Sequence, residues 1–99
     1  MLTTLVSSKL LEKMASKEGF HFASTLTGFK YIGNAALELE AKGYSVPFAY
    51  EEAIGFMVYD LVRDKDGISA LAVFSELAQW LHHERQMRVT DYLGEIYKK

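Results

Sequence analysis

Residues 44–59 read "YSVPFAYEEAIGFMVY", two apolar runs of β-forming residues on either side of the adjacent carboxylates Glu51 and Glu52. A tight turn ordinarily draws on Asn, Gly, Asp or Ser for backbone reasons. Glu51 and Glu52 bring only charge and hydrogen-bond acceptors, so their place between two strands asks for a role beyond chain reversal. The first run is expected as a strand and the second as a further one. Pro47 sits inside the first run, which argues for an edge or a bulge because proline cannot donate to a ladder.

Working outward, "MLTTLVSS" opens the chain with a short β-type run, and "SKLLEKMASKEG" follows with Leu10, Leu11 and Met14 on one helical face and Gly19 as its stop. "FHFASTLTG" alternates Phe20 and Phe22 and breaks at Thr27-Gly28, as a strand followed by a loop. "FKYIGNAALELEAKG" puts Ile32, Ala36 and Leu39 on one face and closes at Lys42-Gly43. Beyond the second of the two runs, "DGISALAVFSELAQWLHHERQ" is the strongest helix, with Ala70, Phe74, Leu77 and Leu81 spaced by four, three and four, Asp66 near its start and Arg85 at its end. "RVTDYLGEIYKK" is a last short helix, expected to start at Thr90 and to bury Val89, Leu93 and Ile96. The order β-α-β-α-β-β-α-α points to a layered α/β domain with a largely parallel sheet.

The 99 residues suit a single domain, residues 1–99, and 49% hydrophobic content can fill one core. Net charge is -2, with 11 Lys and Arg against 13 Asp and Glu, so there is no basic field for nucleic acid or an anionic membrane. No apolar run nears the roughly 18 residues of a membrane span. The chain has no cysteine, hence neither disulfide nor thiolate chemistry, which fits a cytoplasmic location.

In sheets of this kind ligands gather where loops leave the carboxyl ends of strands. Two loops fall there: Thr27-Gly28-Phe29-Lys30 after the second strand, and Tyr50-Glu51-Glu52 after the third. That coincidence promotes the glutamates from surface charge to candidate site.

Three stretches, "GFHFASTLTGFKYIGN", "FAYEEAIGF" and "RDKDGISALAVFSELAQWL", resemble the third domain of the α-D-phosphohexomutases, most closely the branch of phosphoglucomutase-2 and phosphopentomutase. The resemblance runs from about Leu2 to Tyr97. It implies a three-layer α/β/α domain with a four-stranded, mixed, mostly parallel sheet whose last strand is antiparallel. It further implies an intramolecular phosphotransferase of four domains, of which this chain is an excised one, inactive alone. The parent would move a phosphoryl group between C1 and C6 (or C5) of a sugar phosphate through a sugar bisphosphate that also serves as activator. The phosphoserine, the Mg²⁺ loop and the phosphate-binding loop would lie in the other three domains, so Mg²⁺ is a cofactor of the parent and no metal is bound here.

Residue by residue, the resemblance makes Glu51 the sugar-binding glutamate, with Glu52 beside it. Carboxylate oxygens accept from sugar hydroxyls in charge-assisted bonds. Ala53 stands where many members have a serine, so one hydroxyl contact is missing and hexose preference does not carry over. Lys65 of "RDKDG" matches a lysine facing the reacting phosphoryl group, where a cation steadies developing charge. Thr27, Gly28 and Lys30 match a loop near the substrate, and Asp66 is expected to cap the long helix.

Blander readings stand beside these: solvated loop charge for Glu51-Glu52, a helix start with incidental charges for "RDKDG", and a solvent-facing Lys30. His82-His83 do not make a metal site, because helix neighbours point about 100° apart and no third ligand is suitably spaced. His21 belongs to a polar or edge face. Trp80, Phe74 and Tyr92 are expected in the core. The competing function is a free-standing, non-catalytic α/β binding module. Faces that would meet neighbouring domains suggest weak self-association of the isolated chain.

Overall fold

The computed structural model describes residues 1–99 and divides them into two compact units, Met1–Gly67 and Ile68–Lys99. The first unit is a four-stranded sheet with two helices. Its elements are β1 (Leu2–Thr4), α1 (Leu10–Glu18), β2 (Ala23–Thr25), α2 (Phe29–Ala41), β3 (Phe48–Glu51) and β4 (Gly55–Val58).

The strands lie in the order β2-β1-β3-β4. β1 pairs in parallel with β2 and with β3, aligning Leu2 with Ala23 and with Ala49. β4 returns antiparallel to β3, with Glu51 opposite Gly55 and Ala49 opposite Met57. The chain is thus an α/β fold with a mixed, mostly parallel sheet and an antiparallel last strand. The crossovers β1-α1-β2 and β2-α2-β3 run in opposite directions along the sheet, and the right-handed rule then places α1 and α2 on opposite faces.

The core lies on the α2 face. Phe29, Ile32 and Ala36 recur at helical spacing and pack with Leu2, Val46, Ala49 and Met57 in one buried cluster. Period-two alternation turns Phe48, Tyr50 and Phe56 to the other face, where the Phe48 and Phe56 rings lie 6.1 Å apart. α1 ends at Gly19, whose φ of 80° lets its N–H reach Ala15 O at 2.9 Å. α2 closes through Lys42 and Gly43, the latter at φ 90°.

Two sequence expectations need correction here. Phe20 and Phe22 are not in a strand: the Phe20 N–H is still engaged by Ala15 O at 3.2 Å at the end of α1, and β2 begins only at Ala23, one residue after Phe22. The conflict over Pro47 disappears because β3 starts one residue later, at Phe48. β3 is a central strand, and Pro47 contributes only its carbonyl, which accepts the Tyr59 N–H at 3.0 Å.

Residues 59–66 run from β4 across to α2 and back. Arg63 grips Glu40, near the end of α2, through both guanidinium nitrogens at 3.0 and 2.6 Å. Hydrogen bonding from Arg63 holds the Glu40 carboxyl below its ordinary value, and Glu40 and then Asp60 push the Arg63 guanidinium up.

The second unit contains α3 (Gly67–Trp80, starting one residue earlier), a wide π turn at Leu81–Arg85, and α4 (Val89–Lys98). Gln86, at φ 51°, ends the turn. Arg85 binds Glu95 at 3.1 Å, and Asp91 accepts the Arg88 N–H at 3.1 Å. That bond makes Arg88 the capping residue, so α4 begins at Val89, one residue before the expected Thr90. Phe74 and Trp80 are 53% and 46% exposed and Leu93 42%, against the expectation of core positions. Spacing decides which side of a helix is apolar; coverage requires another element to reach it. Leu81, the last residue of the expected stripe, falls in the π turn and is fully buried.

Two outcomes follow from these contacts. Ile32→Ala should destabilise the chain by about 2–5 kcal/mol, and Leu37→Ala, half exposed on the same helix, by far less, both read by chemical denaturation. The stabilisation from Glu40 is present above its ordinary pKa of 4.5 and is lost as the pH falls through the lower native value. The difference in melting temperature between the native chain and Glu40→Gln should therefore shrink as the pH drops from 7 toward 3.

Candidate functional site

β1, β2 and β3 are parallel, so their carboxyl ends share one end of the sheet. The reversal from β3 into β4 stands there. Glu51 pairs with Gly55, leaving the three-residue loop Glu52-Ala53-Ile54. Loops of this length place their last residue in the left-handed region, and Ile54 occupies it at φ 63°. Glycine is the usual choice. A β-branched residue there is strained, and Ile54 remains 83% exposed.

Alternation carries Glu51 to the same face as Ala49, above the core, and leaves it only 8% exposed. Its Oε1 lies 3.8 Å from Lys65 Nζ, while the Lys65 side chain stays half exposed. Gly55 makes this approach possible. A Cβ at residue 55 would fall 2.8 Å from Glu51 Oε1 and 2.8 Å from Lys65 Cγ and Cδ. The outcome is a nearly buried carboxylate beside an ammonium that faces water, an acceptor and a cation on neighbouring positions.

Glu52 turns the other way, toward β1. Thr4 Oγ1 donates to Glu52 Oε2 at 2.5 Å, and the Ser7 hydroxyl lies 2.8 Å from Thr4 Oγ1. Because the single Thr4 proton is engaged by the carboxylate, Ser7 acts as donor to Thr4. Thr4 and Ser7 are both buried, so Glu52 ties the loop after β3 to the loop after β1.

Of the residues singled out from the sequence, Glu51, Glu52 and Lys65 come together. Thr27, Gly28 and Lys30 do not join them. They lie at the end of β2, which β1 separates from β3, so about 10 Å of sheet intervenes at two strand spacings. Lys30 is exposed, with its ammonium 5.2 Å from the Tyr31 ring centre. Gly28, at φ 119°, makes the turn into α2.

Sequence reasoning passed over Thr4, Ser7, Arg63 and Glu40. The first two were within reach of the rule about strand ends, since "TTLVSS" places hydroxyls just where β1 leaves the sheet. Nothing in the sequence joins Glu40 to Arg63, which are separated by 23 residues. A cavity of about 430 Å³ opens at the opposite end of the sheet, walled by Phe20, His21, Leu39, Tyr44, Pro47 and Tyr59. It lacks a carboxylate and lies away from the strand ends that carry the charged pair. No three His, Asp or Glu side chains converge to hold a metal ion.

Across residues 1–99 the chain matches the family described as phosphoglucomutase/phosphomannomutase, alpha/beta/alpha domain III. The chain belongs to this family. Among characterised relatives, this domain III is 48% identical over 99 residues to a probable phosphoribomutase of Schizosaccharomyces pombe, covering all of this chain and 17% of that protein. It is 50% identical over 97 residues to the phosphopentomutase of Mus musculus, covering 98% of this chain and 16% of that protein. It is also 48% identical over 98 residues to the glucose 1,6-bisphosphate synthase of Mus musculus, 99% of this chain and 16% of that protein. The domain thus spans about one sixth of the length of these relatives. No solved structure matches it.

The strained turn offers a direct check. Left-handed backbone costs a branched residue about 1–2 kcal/mol, and glycine loses part of that again through its freer unfolded state. Ile54→Gly should therefore raise stability, by up to about 1 kcal/mol in denaturant titration. A neutral or destabilising result would show that the loop is not strained at this position.

Proposed function

We propose that residues 1–99 act together as the sugar-binding domain of a larger cytoplasmic enzyme. That enzyme would move a phosphoryl group between C1 and C6, or C1 and C5, of a sugar phosphate by way of a bisphosphate. The observation that carries this reading is the meeting of Glu51 and Lys65 over Gly55 at the carboxyl end of β3. The names of the relatives, phosphoribomutase, phosphopentomutase and glucose 1,6-bisphosphate synthase, favour a phosphorylated sugar as the ligand.

In this reading Glu51 accepts hydrogen bonds from sugar hydroxyls. Its burial raises the strength of each such bond, and Lys65, 3.8 Å away, sets a cation beside the same ligand. Lys65 is near enough to Glu51, and exposed enough, to reach a phosphoryl oxygen of the same ligand. There it would neutralise charge that develops during transfer and hold a proton at the sugar oxygen. Glu52, committed to Thr4, shapes the loop. Thr27, Gly28 and Lys30, at the end of β2 two strands away, would border the ligand only from further along the same end of the sheet. Ala53 offers no hydroxyl, which leaves room for either ring size.

Mg²⁺ would belong to another domain of the parent. There it would supply charge neutralisation at the phosphoryl group. The phosphoryl donor and the phosphate clamp would likewise come from the three other domains, and the isolated chain should be inactive because positioning dominates this chemistry.

The test is steady-state kinetics of the full-length enzyme on glucose 1-phosphate and ribose 1-phosphate, with thermal melting as the folding check. Glu51→Gln exchanges two anionic acceptors for one neutral acceptor and a donor, weakening bonds that contribute about 1.5–3 kcal/mol when charged. kcat/KM should fall about tenfold or more on the preferred sugar. Glu52→Gln should cost less. Lys65→Met should lower kcat more than it raises KM, because a cation at the phosphoryl group matters most in the transition state. Wild-type kcat/KM for Glu51→Gln on both sugars would refute the assignment.

A further inference from the structure

Lys65 sits on a loop, and a lysine carries its charge on a flexible four-carbon stem. Three attachments hold that loop. At its start the Tyr59 N–H donates to Pro47 O at 3.0 Å, and at its end the Asp66 N–H donates to Phe56 O at 2.8 Å. Between them, Arg63 grips Glu40 of α2 through two parallel bonds, at 3.0 and 2.6 Å. The Arg63 carbonyl also lies against α2 at Gly33, where a Cβ would come within 2.9 Å of the oxygen. Gly33 and Glu40 are seven residues apart, two turns along one side of the helix.

We propose that Arg63 and Glu40 are positioning residues, which with the Gly33 contact lay the loop along α2 and so aim Lys65 at the ligand of the Glu51 site. This rests on the sugar-phosphate reading of that site. A guanidinium–carboxylate fork fixes orientation as well as distance, whereas a lone ammonium would fix distance alone. The fork holds the backbone two residues before Lys65, and the Asp66 bond holds it one residue after. The stem is then confined from the side by Gly55, so what remains mobile is the ammonium end. Gly33 is the independent sign that the approach matters: glycine inside a helix is unfavourable relative to alanine, and here it admits a backbone carbonyl that any side chain would displace.

The experiment compares Arg63→Ala, Arg63→Lys, Glu40→Ala, Gly33→Ala and the exchanged pair Arg63→Glu with Glu40→Arg in the full-length enzyme, each with and without Lys65→Met. Misplacing a catalytic group by about 1 Å can cost about a hundredfold. The expected result for Arg63→Ala and Glu40→Ala is a fall in kcat of about ten- to a hundredfold with KM nearly unchanged. Arg63→Lys should retain the fold and show part of the loss. The exchanged pair should recover part of it. Gly33→Ala should lower kcat although both charged partners remain and alanine favours the helix.

The deciding measurement is coupling. In the Lys65→Met background, removal of Arg63 should change kcat little, because the group it aims is gone. An undiminished kcat in Arg63→Ala, or an equal further loss on top of Lys65→Met, would overturn the proposal. Should Arg63→Ala fail to fold, Arg63→Lys and Gly33→Ala carry the same comparison. Wild-type kinetics in Lys65→Met itself would instead overturn the functional reading of the site, and this inference with it.

Discussion

The antiparallel pairing of Glu51 with Gly55 is the constraint from which the site is built. It sets the length of the reversal at three residues, forces Ile54 into left-handed backbone, and turns the Glu51 carboxylate toward the α2 face. A one-residue slip would reverse every side chain of β4 and expose Met57, now fully buried, to the other face. Core packing thereby holds the carboxylate in place. Gly55 is the complement of that pairing, since only a residue without Cβ leaves space for the Lys65 stem above it.

The two glutamates divide their work by direction. Glu51 points along the core face and meets a cation; Glu52 points toward β1 and takes the Thr4 proton. Glu51 is the last residue of β3 and Glu52 the first of the loop, so one short stretch both presents an acceptor and fastens its own loop to β1. This answers why the reversal carries Glu-Glu in place of turn-forming residues. The backbone strain that results is concentrated at Ile54, next to the site, a location at which strain commonly accompanies function.

A second theme is the use of α2 as a foundation. Its apolar side closes the core through Phe29, Ile32 and Ala36, while Gly33 and Glu40 receive the returning loop at Arg63. An ion pair at this level of exposure adds little to stability. Its geometric effect on the two residues that follow is larger, because the loop has few other attachments.

Much of this was legible in the sequence. Hydrophobic periods of 3.6 and two gave the order of helices and strands, and Gly19 and Lys42-Gly43 marked helix ends. Glu51, Glu52 and Lys65 could be singled out as candidates from residue type, position at strand ends and motif, and the fold brings these three to one end of the sheet. The ends of elements were less legible, as Phe20 shows: alternation looks the same whether a backbone N–H is free for a ladder or already engaged by a helix end. Burial of Phe74 and Trp80 was not legible at all, because periodicity describes one element and coverage needs two. Tertiary structure alone decided that Lys65 reaches Glu51, that Thr4 and Ser7 hold Glu52, and that Arg63 fastens to Glu40. Each of these contacts joins residues far apart in the chain, and their distance in space depends on strand order and register, quantities that local spacing does not encode.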